Sequence, residues 1–252
     1  MSMPIDLVLV RHGQSEQNLA SHFAKKGDSS LYTEDFRARH GSQHRLTPKG
    51  RLQAEKAGGW LRKNGLGRFD RRYASAYVRA IETAGLLDVD GSDWIVEPLL
   101  REREWGDFDG LPPEERITRS EELINMRDTD PFYWIPPNGE SIAQLTNRLR
   151  PIMNTLHREC SDKSVVIVCH GEVMRAFRFI LERMTIEHWA SIEKSEAPGA
   201  KIFNCQVLHY SRRNPASGEL ADHLDWMRSI SPAAQHNSGK GWQDVIRRRF
   251  SN

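Results

Sequence analysis

Two apolar runs, far apart in the chain and each breaking off at a His-Gly pair, limit what this sequence can fold into. Leu7, Val8, Leu9 and Val10 lead into Arg11-His12-Gly13, and Val165, Val166, Ile167, Val168 and Cys169 lead into His170-Gly171. Runs without polar alternation suit parallel strands covered on both faces, and an open parallel sheet places ligands beyond the carboxyl ends of its strands. Both His-Gly pairs are therefore expected at one crevice. Gly13 lets the backbone turn sharply or come close to a ligand, and Arg11 presents a rigid fork of donors that suits an oxyanion. The same tripeptide also serves as an ordinary turn, with its histidine hydrogen-bonded and its arginine solvated.

Two segments between these runs carry further candidates. Ser75 to Ala84 reads as a strand end turning into a helix with Arg79 in its first turn, and Leu100 to Gly110 places Glu102 and Glu104 before Gly106. In this order the segments resemble the histidine phosphatase superfamily, also called the phosphoglycerate mutase-like family. The resemblance runs from about Leu7 to about Tyr210. It rests on Arg-His-Gly, the helix start Leu46-Thr47-Pro48-Lys49-Gly50, Ser-x-x-x-Arg-Ala from Ser75, Leu-x-Glu-x-x-x-Gly from Leu100, and the late His-Gly. It implies that His12 is the nucleophile, that Arg11, Arg79 and His170 bind the phosphoryl group, and that Glu102 is the proton donor. Glu102 matches better than Glu104 because it lies four residues before Gly106. Asn18, in Ser-Glu-x-Asn, falls where many members have another phosphate contact.

The chemistry needs such groups. A phosphate monoester dianion repels nucleophiles, so its transfer depends on positioning and on stabilising charge at the equatorial oxygens. His12 must be neutral to attack, and neighbouring cations favour that form. A carboxyl at Glu102 would protonate the departing alkoxide and then activate water against a phosphohistidine, a contribution of roughly 10²- to 10⁴-fold. Three other readings compete. Arg79 and the charge run at Glu102 also suit solvated, ion-paired surfaces. His12 and His170 also suit a metal, although Arg11 opposes a cation and no His-Glu-x-x-His or paired-cysteine spacing occurs. Cys169 to Arg175 also fits Cys-x5-Arg, the loop of cysteine-dependent phosphatases, but it leaves Arg-His-Gly unexplained.

At 252 residues the chain is long enough for one α/β catalytic domain. Its 36 Lys and Arg against 34 Asp and Glu give no reason to expect a nucleic-acid partner. A small phosphorylated substrate is expected, with no cofactor, no metal and no membrane. Cys160, Cys169 and Cys205 form no disulfide framework, and no secretory signal precedes the first strand. A cytoplasmic enzyme is expected.

The pattern predicts strands over 7–11, 71–75, 94–97, 164–169 and 201–210. Helices are predicted over 47–64, 78–88, 172–184 and 186–193, with one more from Asn138 or Ser141 to about Glu159. The order implies a three-layer α/β fold, a mostly parallel central sheet with helices on both faces. Residues 1–210 are expected to form the catalytic domain. Residues 19–46, rich in Lys25, Lys26, Arg37, Arg39, His40, His44 and Arg45, are expected as a lid meeting an anionic substrate. Residues 211–252 are expected as a C-terminal extension whose last part, from Trp242 to Phe250, is disordered or forms a short basic helix. The stretch from Phe132 to Ser141 resembles the phosphatase-like branch more than the glycolytic mutases. Phosphomonoester hydrolysis is thus expected, with mutase-type phosphoryl transfer as the alternative and an inactive binding module of the same fold as a further one.

Overall fold

The structure is a computed structural model that describes residues 2–195, 200–234, 238–239 and 241–247. Its strands are β1 (Asp6–Arg11), β2 (Arg68–Phe69), β3 (Arg71–Ser75), β4 (Asp90–Gly91), β5 (Trp94–Glu97), β6 (Ser164–Cys169), β7 (Val207–Ser211), β8 (Trp226–Ile230) and β9 (Gln243–Asp244). Its helices are α1 (Glu16–Ala24), α2 (Glu34–Ala38), α3 (Pro48–Lys63), α4 (Val78–Leu86), α5 (Pro113–Arg119), α6 (Glu121–Thr129), α7 (Ile142–Glu159), α8 (Gly171–Leu181) and α9 (Ile186–Glu193). The main sheet runs in the order β5-β3-β6-β1-β7-β8-β9. β1, β3, β5 and β6 pair in parallel, and β7, β8 and β9 add antiparallel pairings.

The apolar runs bury both faces, as their lack of alternation predicts. Leu7, Leu9, Val165 and Ile167 enter the layer that holds Leu145 and Leu149 of α7 and Val173 and Phe177 of α8. Val8, Val10, Val166 and Val168 enter the opposite layer with Ala54 and Leu61 of α3 and Ala80 and Ala84 of α4. A fully buried Val, Leu or Ile contributes about 1.5–3 kcal/mol, against about 0–1 kcal/mol for an exposed ion pair. Groups at the carboxyl ends of β1 and β6 are therefore firmly placed. The caps follow the sequence as well: Thr47 caps α3 with Pro48 in its first turn, and Ser141 forms a reciprocal capping box with Gln144 on α7.

Two expectations change. The last predicted strand begins at Val207, not residue 201, because Cys205 sits at φ 54° and its N–H turns to the Arg11 carbonyl, which takes 201–206 out of the sheet and towards His12. The expected break at 210/211 falls inside β7, and the polar stretch after it returns as β8 and β9. Of the segment expected to be disordered or helical, Gln243–Asp244 pairs with β8, while residues 248–250 lie outside the described residues.

Candidate active site

Four chain segments deliver the site. Arg11 and His12 follow from the end of β1, Ser75 ends β3, His170 follows β6 as the N-cap of α8, and Arg79 lies in the first turn of α4. Glu102 comes from the loop after the short 3₁₀ turn at Pro98–Leu100. The turn at Gly13 has no room for a side chain, since a Cβ there would lie 2.3 Å from the Gly50 carbonyl oxygen. Thr83 accepts the Gly13 N–H at 3.1 Å and so ties this turn to the helix that carries Arg79.

His12 is buried, and its Nδ1 lies 2.7 Å from the Gly13 carbonyl oxygen. A carbonyl only accepts, so the proton sits on Nδ1 and the Nε2 lone pair faces outward. Arg79 donates to that Nε2 from its Nε at 3.2 Å. Burial, then the charges of Arg79 and Arg11, hold His12 well below the ordinary histidine pKa and keep the ring neutral. His170 packs edge-on at 5.1 Å between ring centroids, with Nε2 2.8 Å from Ser75 Oγ. Its Nδ1 is buried without a hydrogen-bond partner and lies 4.0 Å from Glu102 Oε2. Burial, then repulsion from Glu172, raises the Glu102 pKa against the opposing pull of Arg79, the Arg103 N–H and Arg11. The arrangement sets a neutral imidazole, its Nε2 lone pair shared only with the Arg79 guanidinium, beside fixed cations and a carboxyl biased towards its protonated form.

Residues 7–200 match the model of the histidine phosphatase superfamily (branch 1). The chain belongs to that superfamily. The 2,3-bisphosphoglycerate-dependent phosphoglycerate mutase of Azorhizobium caulinodans is 32% identical over 203 residues, covering 78% of this chain and 89% of that protein. Its counterpart in Bartonella henselae is 34% identical over 194 residues, with coverages of 74% and 86%. Among solved structures, mycobacterial glucosyl-3-phosphoglycerate phosphatase in complex with VO3 is 25% identical with a TM-score of 0.62, covering 82% of this chain and 92% of that one. The protein is accordingly an enzyme of the histidine phosphatase superfamily, whose general chemistry runs through a phosphohistidine.

Read as a histidine phosphatase, the cavity at His12 has a volume of about 190 Å³ and includes Asn18, Tyr77, Arg79, Glu102 and Arg116 in its lining. Arg11 reaches the site from the side: it donates to the Ile202 carbonyl, its Nε has no partner, and it lines an adjoining cavity that shares Asn18. Asn18 also closes the capping box of α1, its Oδ1 accepting from the Ser15 N–H at 3.2 Å and from Asn204 Nδ2 at 2.9 Å. Glu104 is held by Arg101 at 3.2 Å and by the Tyr77 hydroxyl at 3.3 Å, which leaves Glu102 as the carboxyl beside His170. Cys169 is no rival to His12. Burial pushes its thiol pKa up, and Arg175, the arginine of Cys-x5-Arg, pairs with Glu193. His12, Glu102 and His170 offer ligand atoms within 4.8 Å of one another. The adjacent guanidiniums of Arg79 and Arg11, however, oppose a cation there.

The arginines of the expected lid do not line the cavity at His12. Arg37 pairs with Glu115, Arg39 with Glu16 and Arg45 with Glu82, whereas the Gly41 carbonyl accepts from Arg79 and Tyr32 lines the cavity. Several residues escaped the sequence reading. Ser75 holds His170, and the Tyr77 ring packs on both His170, at 5.0 Å, and the Arg79 guanidinium, at 4.8 Å. Arg148, buried against Glu140, donates to the carbonyls of Leu99, Arg101 and Glu102 and so anchors the acid loop. Ser75 was discoverable, since it ends a predicted strand as His12 does. Arg148 and Asn204 had no such signal.

Proposed function

We propose that this protein hydrolyses small phosphomonoesters through a phosphohistidine on His12. The observation that carries the reading is the His12 ring, with Nδ1 bound to a carbonyl and Nε2 presented beside Arg79 at 3.2 Å. His12 Nε2 attacks phosphorus while Arg11, Asn18, Arg79 and His170 hold the equatorial oxygens, and Glu102 gives its proton to the departing alkoxide oxygen. Glu102 then takes a proton from water as that water attacks the phosphohistidine, which releases inorganic phosphate and restores both side chains. A partly buried carboxyl with a raised pKa supports the first role, and fixed cations around a neutral imidazole support the transfer. Residues 19–46 act as the lid in this reading.

Transfer to a second hydroxyl, as in the mutases named above, uses the same groups and is favoured by the 32–34% identity to those enzymes. Following phosphate release and interconversion of 3- and 2-phosphoglycerate in one assay separates the two. Release without interconversion supports the hydrolase, and interconversion without release replaces it with the mutase. An inactive module of this fold would show neither turnover nor an acid-labile phosphoenzyme. We place the enzyme in the cytoplasm. Three buried free cysteines support that assignment, and no helix among the described residues is long and apolar enough to cross a membrane.

A further inference from the structure

Tyr77 occupies a position that local structure would give to another residue. It is the N-cap of α4, where Ser, Thr, Asp or Asn accepts one of the free N–H groups of the first turn, and its side chain makes no such bond. The ring is buried and lines the cavity at His12 instead. Its hydroxyl donates to Glu104 Oε1 at 3.3 Å, and Arg101 holds the same oxygen at 3.2 Å, so the ring is anchored through its far end. The Arg79 guanidinium lies over the ring, 4.8 Å from its centroid. His170 packs nearly perpendicular to it at 5.0 Å and meets the His12 ring at 5.1 Å.

Arg79 needs a neighbour of this kind. It is buried, it donates to His12 Nε2 and to the Gly41 carbonyl, and no carboxylate among the described residues lies within ion-pair distance of it. A buried cation without a partner is costly, and the negative face of an aromatic ring offsets that cost most where water is excluded. A carboxylate in the same place would neutralise Arg79 and compete with phosphoryl oxygens for its donors, whereas a ring leaves those donors to the substrate. Burial, then the charge of Glu104, pushes the Tyr77 phenol pKa up, so the hydroxyl remains a donor.

We propose that Tyr77 is a positioning residue for phosphoryl transfer, its π face standing in for the counter-charge of Arg79 while its contact with His170 keeps these two phosphate-binding groups at one spacing. The proposal rests on the phosphoryl-transfer reading above and concerns how the groups of that reading are held.

The test first replaces the ring and then alters only its electrons, on the full-length protein with p-nitrophenyl phosphate. Tyr77→Phe keeps the π face and is expected to stay within about threefold of the wild type in kcat/KM. Tyr77→Leu fills part of the volume without a π face and is expected to fall about 10- to 30-fold, the range of one desolvated cation–π contact. Phenylalanine carrying one, two or three ring fluorines at position 77 should lower kcat/KM stepwise from the Tyr77→Phe value, because fluorine depletes the negative face and barely changes the shape. A ring that served packing alone would give a flat fluorine series, and that result overturns the proposal even if Tyr77→Leu fails to fold. A folded Tyr77→Leu within threefold of the wild type overturns it as well. Should no ester turn over, the catalytic reading fails by itself, and calorimetric dissociation constants for orthovanadate across the same variants decide this one. Binding that weakens with each fluorine supports it, and constant binding, or none to the wild type, refutes it.

Discussion

The floor of the cavity and its roof are built on different principles. His12, Arg79 and His170 on the floor are 1%, 3% and 0% exposed, and each is positioned by a buried strand end or by the helix that follows one. The roof is made of short helices, and neither α5 nor α6 contains a fully buried residue. Exposed ion pairs such as Arg37–Glu115 and Arg45–Glu82 link it to its neighbours. The chemistry is thus fixed by elements that bury apolar runs on both faces of the sheet, worth many kcal/mol, while contact with the rest of a substrate is left to short helices held by small satellite clusters, such as Leu123 and Ile124 on Phe108 and Trp134, and by ion pairs of about 1 kcal/mol or less. Such a division lets leaving-group preference change without disturbing phosphoryl transfer.

The largest effects are expected on the floor. His12→Ala should lower kcat by a factor on the order of 10⁴ or more, because loss of a nucleophile removes the covalent route entirely. Labelling quenched in alkaline detergent should find an acid-labile phosphoenzyme in the wild type and none in that variant, and a surviving label would move the nucleophile elsewhere. Glu102→Gln should cost about 10²- to 10⁴-fold with alkyl phosphates and much less with p-nitrophenyl phosphate, whose leaving group needs no proton. The pH dependence carries a sign. Glu102 acts protonated and its pKa is raised, so kcat/KM falls as pH climbs through that raised value. Glutamine cannot ionise, so the alkaline limb should disappear from the Glu102→Gln profile. If the limb persists, another group is the acid.

Stability sharpens the contrast on a smaller scale. Gly13→Ala forces a methyl to 2.3 Å from a backbone oxygen that cannot rotate away, and overpacking of this kind costs about 1–3 kcal/mol. Gly59→Ala, inside α3 where an added Cβ meets nothing within 4 Å, should instead stabilise by roughly 0.5–1 kcal/mol. Urea midpoints at unchanged slope read both changes. Equal effects would mean that the turn at His12 is no more constrained than an open helix face.

What the sequence disclosed follows the same line. Strands β1, β3, β5 and β6 announced themselves because burial on both faces, or a flanking turn, leaves a pattern in residue type, and Thr47-Pro48 and Ser141 marked helix starts by their capping chemistry. His12, Arg79 and His170 were legible for that reason, lying at strand ends or in the first turn of the helix that follows one. Strand β8 was not, because only Met227 of its five residues is buried, so this antiparallel strand beside the short edge strand β9 carries no apolar run. Ion pairing was equally invisible. Arg37 and Arg45 look like ligands for an anion until the structure brings in Glu115 and Glu82.

That ambiguity defines the smallest effect and the one most able to break the division. Glu82 accepts from Arg45, from the Leu46 N–H at 2.8 Å and from Arg51 at 3.1 Å. Removing the Arg45 side chain therefore leaves the carboxylate with two partners and creates no buried unpaired charge. Arg45→Ala should cost no more than about 0.5 kcal/mol, as exposed pairs do, and the difference should fade in about 1 M salt, where the Debye length is near 3 Å. KM for any ester should change by less than about twofold, since a guanidinium spent on Glu82 gives no binding energy to substrate. A several-fold rise in KM would show that Arg45 leaves Glu82 when substrate binds. The roof would then be a closing element with its own charges, and floor and roof could no longer be treated as separable.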